Sequence, residues 1–298
     1  MQNIFNRFYH WLRTPAKTTI GEYVKTFVII VPVAFIIRTY FYGLYQVPTG
    51  SMETTMLVGE RFFADKFSVN FWAPKHGDII SFNDPNYEYS TNKYMRLFQM
   101  YVWGPSNWTK RVIGIPGDHI QGKMEDGKPV VYRNGEKLHE PYLNQFPIVG
   151  VMNGKSGKFW EYCSYDDTYS FENQPFYIMN PESVYRAKRL MPRYGFEWAL
   201  EPQTPAIEHA TGRNADEYDV QLGDNEYWVM GDNRLGSYDC RMWGSGGKPL
   251  NGELIHGKIV FRILSFDSSE SWLILDLIKH PIEFWRRVRW SRCLNIVR

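Results

Sequence analysis

The chain has 298 residues and a mass of 35.2 kDa, enough for one large domain or two smaller ones with a buried core. Its 34 lysines and arginines nearly balance 32 aspartates and glutamates, which excludes the basic surface of a dedicated nucleic-acid binder. A mean hydropathy of −0.42 excludes a polytopic membrane protein. Three widely spaced cysteines and scattered histidines indicate neither a disulfide framework nor a metal site.

The amino-terminal part predicts one membrane anchor. Residues 1–22 form a basic segment, and residues 23–45 are apolar with the uncharged centre TFVIIVPVAFII. About 20 apolar residues span a bilayer, so this segment suffices if Arg38 and Tyr40 lie at an interface. The basic residues before the run predict a cytoplasmic amino terminus and an extracytoplasmic remainder. The alternatives are a buried core helix and a cleaved signal peptide, although no small-x-small site follows the apolar run.

Residues 46–270 are predicted to form a mostly β domain. The Asn134-Gly135 pair indicates a hairpin over residues 130–138. Region 144–222 has weak periodicity and is interpreted as an insertion or subdomain on the β core. No βαβ alternation or glycine-rich phosphate loop supports a Rossmann fold. Short β-rich runs bounded by turn residues predict further strands at residues 77–82, 110–114, 226–230 and 256–263.

Two aromatic segments allow two interpretations each. In the tail, residues 271–298, tryptophans such as Trp285 and Trp290 alternate with arginines, which is typical of a segment at the lipid headgroups. A helix packed on the domain with a solvated basic face fits equally well. The aromatic residues between Tyr94 and Trp108 either enter the membrane interface or pack at a sheet edge.

Three stretches contain candidates for chemistry. Ser51 lies beside a glycine in a turn that follows a proline, where its hydroxyl can project as a nucleophile. Lys110 opens an apolar strand that a Pro-Gly-Asp turn closes, and burial there would lower its pKa and make it a base. The third stretch, residues 231–244, carries aspartates and arginines that can pair. Taken singly, each also has an ordinary interpretation as a turn, a solvated lysine or an architectural ion pair.

Together, the three stretches resemble the conserved boxes of type I signal peptidases, membrane-anchored Ser-Lys proteases that remove secretory signal sequences. Residues 49–56 (TGSMETTM) correspond to the serine box, with threonine for its first serine and Thr54 where the family commonly has proline. Residues 110–118 (KRVIGIPGD) match the lysine box throughout. Residues 231–244 (GDNRLGSYDCRMWG) match the third box except that Cys240 replaces a serine. The order of anchor, serine, lysine and Gly-Asp-Asn loop also agrees.

The resemblance implies a fold and a set of roles. The fold is a mostly β extracytoplasmic catalytic domain of signal-peptidase type behind one transmembrane helix, without metal or cofactor. Ser51 would attack the scissile carbonyl, and neutral Lys110 would accept its proton. The Thr49 hydroxyl and the Ser51 N–H would form the oxyanion hole, and Ser237 would orient the lysine amine. Ion pairs supporting the site are expected from Arg111, Asp232, Asp239 and Arg241.

The resemblance also implies partners and a location. The expected substrates are precursor proteins with small-x-small (Ala-x-Ala-like) signal peptides, presented at the outer face of a bacterial plasma (inner) membrane. We expect a monomer in contact with the lipid bilayer and no nucleic acid. One alternative is a specialised processing peptidase for a pilus or conjugation precursor; another is an inactive membrane-tethered peptide-binding protein. Self-cleaving repressors also use a Ser-Lys pair, but they carry a DNA-binding module instead of an anchor.

Overall fold

Antiparallel β-sheets that follow one long helix make up most of the computed structural model. It describes residues 6, 9–11, 13–14, 18–146, 148–152, 160–164, 166, 168–169, 174–176, 215–266 and 273–297. The helices are α1 (Thr19–Ile36), α2 (Lys93–Tyr101), α3 (Leu273–Lys279) and α4 (Pro281–Arg286). The strands are β1 (Tyr42–Gln46), β2 (Arg61–Asp65), β3 (Ile79–Asn83), β4 (Asn107–Gly114), β5 (His119–Glu125), β6 (Lys128–Arg133), β7 (Glu136–Lys137), β8 (Ile148–Met152), β9 (Trp160–Ser164), β10 (Tyr218–Gln221), β11 (Glu226–Met230), β12 (Leu250–Asn251), β13 (Ile255–Leu264) and β14 (Asn295–Ile296).

Helix α1 is the candidate membrane span. The Thr18 hydroxyl caps it by accepting a hydrogen bond from the Gly21 N–H at 3.1 Å. A π-helical turn, Ile37–Phe41, extends α1 to a helix of 23 residues, Thr19–Phe41, whose mostly apolar side chains are largely uncovered by the rest of the protein. Among the described residues, this helix alone is long and apolar enough to cross a bilayer. It ends at Phe41 instead of residue 45, because the next five residues form β1 and pair with β2.

The largest sheet has the strand order β1-β2-β13-β3-β4-β11-β12, with β14 also paired to β13. The strands predicted at residues 77–82, 110–114, 226–230 and 256–263 are confirmed as β3, β4, β11 and β13. Strand β4 is central and hydrogen-bonds to both β3 and β11. Lys110 lies on β4 opposite Ile80 of β3, so the middle of the sheet supplies this candidate base.

A second sheet has the order β10-β5-β6-β7. Its β6–β7 hairpin confirms the predicted turn, because Asn134 and Gly135 adopt the positive φ angles of 53° and 83° that such a tight turn requires. The end of the predicted insertion, residues 218–221, belongs to this sheet as β10. The β8–β9 hairpin also falls within the insertion, whereas residues 177–214 lie outside the described part of the chain.

Two hydrophobic clusters support the candidate site. The larger one joins the two sheets, with Ile80, Val112 and Trp228 from one and Ile120 and Val131 from the other. The second lies beneath the segment that carries Ser51 and contains Val47, Met52, Met56, Phe62, Ala64, Ile79 and Ile259. Burial of these apolar side chains fixes the segment on the sheet.

The tail packs on the domain and also exposes apolar surface. Phe284 and Val288 are buried against Phe266, which agrees with a packed helix. Trp285 and Trp290 stack with ring centroids 5.9 Å apart and remain exposed, as a segment at an interface would. The tail thus combines features of both interpretations offered by the sequence.

The aromatic rings between Tyr94 and Trp108 also lie in two different surroundings. Helix α2 and the loop after it expose Tyr94 and Trp103 at 81% and 79% of their surface. Trp108 instead lies in β4 and packs edge-on against Trp243 and near Phe82. The rings at the start of the segment therefore remain available to an interface, and the last ring belongs to the core.

Candidate active site

Ser51 lies on a loop of 14 residues between β1 and β2. Backbone hydrogen bonds of 3.0 Å close the loop, from the Val47 N–H to the Glu60 carbonyl and from the Gly59 N–H to the Val47 carbonyl. Within it, Gly50–Met52 forms one 3₁₀ turn. Met52 is buried, whereas Ser51 is half-buried, so the turn anchors its apolar side and leaves the serine at the surface.

The candidate nucleophile and base are in direct contact. The Nζ atom of Lys110 lies 2.9 Å from Oγ of Ser51, although the residues are 59 positions apart in sequence. Lys110 is buried, and this burial lowers the pKa of its amine from 10.5 to about 8. The nearby Asp239 carboxylate raises the pKa and partly opposes the effect of burial. A lysine with such a pKa is partly neutral near neutral pH and can accept a proton.

Asn233 fixes the backbone of the serine turn from the opposite side. Its N–H donates to the Ser51 carbonyl at 3.1 Å, and its Nδ2 donates to the Gly50 carbonyl at 3.0 Å. Asn233 belongs to the third box, where its residue type alone predicts no role. A polar amide beside Asp232, three positions after the apolar strand β11, was the available signal, and only the fold brings it to Gly50.

Two buried ion pairs surround the lysine. Arg111 donates to both carboxylate oxygens of Asp232 at 2.8 and 2.7 Å. Arg241 donates in the same way to Asp239 at 2.8 and 3.0 Å, and also to Asp216 at 2.6 Å. Each charge has a partner in this buried region, which limits the cost of removing it from water.

Asp239 also connects its ion pair to the third box. Its Oδ2 accepts a hydrogen bond of 3.0 Å from the Gly231 N–H. Gly231 is tightly enclosed, because a Cβ atom there would lie 2.3 Å from Oγ of Ser237 and 2.4 Å from the Ser51 carbonyl oxygen. Glycine is therefore required where this loop passes behind the serine.

The two accessory hydroxyls differ in their surroundings. Ser237 is buried, and its Oγ has no hydrogen-bond partner among the described residues, so the predicted bond to Lys110 is not formed here. The hydroxyl instead lies against the backbone of Gly231. Thr49 is exposed, has an extended backbone and does not cap the 3₁₀ turn that follows it.

Cys240 belongs to the core beneath the site. Its Sγ accepts a hydrogen bond from the Val229 N–H at 3.2 Å, and burial raises the pKa of the thiol well above its ordinary value. A thiol kept protonated in this way packs as a small apolar group. Among the described residues, no three His, Cys, Asp or Glu side chains form a cluster that could hold a metal ion.

The insertion also contacts the serine loop. The buried Glu53 carboxylate accepts two hydrogen bonds of 2.8 Å from Ser164 of β9, one from its N–H and one from its hydroxyl. Asn144 donates to the same hydroxyl at 2.7 Å, and its own N–H donates to the Asp232 carbonyl at 3.0 Å. These bonds connect the serine loop, the insertion and the third box.

The chain is similar in sequence to several known proteins. The family model described as "Signal peptidase, peptidase S26" matches residues 20–264. The signal peptidase I of Buchnera aphidicola is 26% identical over 271 residues, covering 86% of this chain and 78% of that protein. The signal peptidase I of Rickettsia bellii (strain OSU 85-389) is 28% identical, covering 76% and 68%. A crystal structure of a signal peptidase I from Enterococcus faecalis V583 matches at 18% identity with a TM-score of 0.27, covering 63% of this chain and 97% of that one.

Proposed function

The chain belongs to the signal peptidase family, peptidase S26, and on this premise we propose that it cleaves signal peptides from precursor proteins with a Ser51–Lys110 dyad. The distance of 2.9 Å between Oγ of Ser51 and Nζ of Lys110 carries the proposal. Lys110 must also be neutral to accept the serine proton, and its burial favours the neutral amine by lowering its pKa.

In the first half of the reaction, Oγ of Ser51 attacks the scissile carbonyl while Lys110 takes its proton. The Ser51 N–H and the Thr49 hydroxyl donate to the resulting oxyanion. As the peptide C–N bond breaks, Lys110 returns the proton to the leaving amine, and the signal peptide stays bound as an ester of Ser51. Neutral Lys110 then takes a proton from water, whose oxygen attacks the ester carbonyl. The bond between Oγ of Ser51 and the acyl carbon breaks, Lys110 returns the proton to Oγ, and the signal peptide leaves with a free carboxyl terminus.

The substrate and its approach follow from the position of the serine relative to the anchor. Ser51 comes ten positions after Phe41, the last residue of the span, so it stays near the membrane surface. Small-x-small sites of membrane-inserted signal peptides meet the enzyme there. We place the amino terminus in the cytoplasm and the catalytic domain outside the inner membrane, as a monomer whose exposed rings Tyr94, Trp103 and Trp285 contact lipid.

The test is cleavage of a precursor with an Ala-x-Ala signal by the full-length chain in detergent. Wild type should cut after the second alanine, and Ser51→Ala and Lys110→Arg should be inactive, because a guanidinium does not deprotonate. Ser106→Ala, a change at an exposed serine, serves as the matched control and should retain activity. Equal cleavage by wild type and Ser51→Ala would refute the nucleophile, and an inactive but folded wild type would refute the substrate.

A further inference from the structure

We propose that Arg292, near the end of the chain, is a positioning residue for the serine loop, so that the tail is part of the active unit. The inference rests on the proposed function and adds a requirement to it. The sequence suggests that the tail arginines form a basic face toward solvent or lipid, whereas Arg292 is half-buried and reaches the loop that carries Ser51.

Arg292 holds the loop at two places. Its Nη2 donates to the carbonyl oxygens of Thr54 and Thr55 at 3.2 and 3.0 Å, three and four residues after Ser51. Its Nε donates to Oε1 of Glu60 at 2.6 Å, at the residue where the loop closes. A planar guanidinium presents donors on separate nitrogen atoms in a fixed fork and can satisfy these acceptors at the same time, whereas an ammonium carries all its donors on one atom.

Glu60 lies at the centre of this network and is fully buried. Its carboxylate also accepts hydrogen bonds from Nε of Arg262 at 3.0 Å, from the Ser265 hydroxyl at 2.7 Å and from the Leu57 N–H at 2.9 Å. Arg262 further donates to the Thr55 carbonyl. If Arg292 is removed, Arg262 still compensates the buried carboxylate, so we expect the fold to persist.

The local structure of the tail places the Arg292 side chain against the serine loop. Trp290–Arg292 forms a 3₁₀ turn, the Arg292 N–H donates to the Arg289 carbonyl at 2.9 Å, and β14 then pairs with β13. Arg286, only six positions earlier, is exposed. The two arginines carry the same charge on the same segment and differ in whether they reach the loop, which makes Arg286 a matched control.

Loss of Arg292 should act on the chemical step. The Thr54 and Thr55 carbonyls belong to the turn that follows Ser51. Loss of Arg292 would release the Thr54 carbonyl and leave the Thr55 carbonyl to Arg262, which would loosen the alignment of Oγ with Lys110. A displacement on the order of 1 Å at a reacting group costs up to about a hundredfold in rate. Substrate binding should change little, because Arg292 contacts Thr54, Thr55 and Glu60 and makes no hydrogen bond to Ser51 or Lys110.

The experiment compares full-length wild type, Arg292→Ala and Arg286→Ala on the same precursor in detergent. For Arg292→Ala we expect kcat to fall about ten- to a hundredfold with KM within about twofold, and the acid limb of the pH profile to stay in place. The thermal midpoint should stay close to wild type, and Arg286→Ala should match wild type throughout. If Arg292→Ala fails to fold, Arg292→Lys, which keeps a charge beside Glu60, replaces it with the same expected drop in kcat.

Three results would overturn the inference: unchanged kcat in the Arg292 variant, an equal fall in Arg286→Ala, or a loss of activity in proportion to the unfolded fraction. A folded wild type that cleaves no precursor would instead overturn the proposed function. The two failures are therefore distinguishable, because the first set requires an active wild-type enzyme.

Discussion

The pH dependence of cleavage tests the buried lysine most directly. If neutral Lys110 accepts the proton of Ser51, kcat/KM should rise tenfold per pH unit on the acid side and level off above the pKa of the free enzyme's lysine. Burial lowers that pKa from 10.5 to about 8. If the group that titrates is Lys110, the acid limb should therefore have its midpoint at about pH 8.

The magnitude follows from the two pKa values. With a pKa of 8, about a tenth of the enzyme carries neutral Lys110 at pH 7, compared with about 3 in 10,000 for an ordinary lysine. Burial thus increases the competent fraction by about 300-fold at this pH. With an unperturbed lysine pKa, kcat/KM at pH 7 would be lower by about the same factor.

A charge change nearby should move the midpoint in a known direction. The Asp239 carboxylate raises the Lys110 pKa, so Asp239→Asn should shift the acid limb below that of wild type. Arg241 keeps its bond to Asp216 at 2.6 Å in this variant, which leaves it one carboxylate partner. Asp219→Asn, at an exposed position of the second sheet, is the matched control and should leave the midpoint unchanged.

The assay is initial-rate cleavage of a fluorogenic precursor peptide across the pH range in which the protein remains folded. A midpoint near 10.5, or a profile without an acid limb, would refute the role of burial. A shift of Asp239→Asn to higher pH would refute the electrostatic reasoning, because removal of a negative charge cannot stabilise a protonated amine.

Three further predictions concern the same site. Gly231→Ala should lower both kcat and the thermal midpoint, because its Cβ would lie 2.4 Å from the Ser51 carbonyl oxygen; unchanged values would show that the backbone adapts freely. Asn233→Ala should lower kcat by about tenfold through loss of its bond to the serine turn, with exposed Asn86→Ala as an inert control in the same cleavage assay. Lys110→Met should abolish cleavage yet raise the thermal midpoint at pH 7. The pKa of Lys110 is lower in the folded protein than in the unfolded chain, so burial of the charged amine lowers the free energy of unfolding by up to about 3 kcal/mol below pH 8. That cost disappears as the pH rises toward 10.5, and melting curves that show no gain for Lys110→Met at pH 7 would contradict the sign.

The strands were predictable because their signals are local. Alternating β-rich runs with turn residues located β3, β4, β11 and β13, and the Asn134-Gly135 pair located the hairpin. The family resemblance named Ser51 and Lys110 before any distance was known. The family match now supports a serine peptidase, and the residue roles stay proposals.

The remaining features depend on contacts between distant parts of the sequence. The end of the anchor was predicted too late, because Tyr42–Gln46 is apolar enough to continue a helix and becomes β1 only by pairing with β2. Asn233 reaches Gly50 across 183 positions, and Arg292 reaches Glu60 across 232. Composition marked the tail arginines as surface charges, and no local pattern showed that Arg289 and Arg292 turn toward the domain.

In the proposed function, the junction between the span and β1 would determine the height above the membrane at which a cleavage site is accepted. No flexible linker separates them: the Phe41 carbonyl accepts a hydrogen bond from the Lys66 N–H at 2.9 Å, and β1 begins at the next residue. Five strand residues rise roughly 17 Å, so β1 fixes the distance between the end of the span and the serine loop. One residue inserted after Phe41 would not simply increase this distance. It would shift β1 by one position and turn its side chains to the opposite face of the sheet, since side chains alternate along a strand. In the proposed function, precursors are therefore sorted by the depth at which their small-x-small site lies.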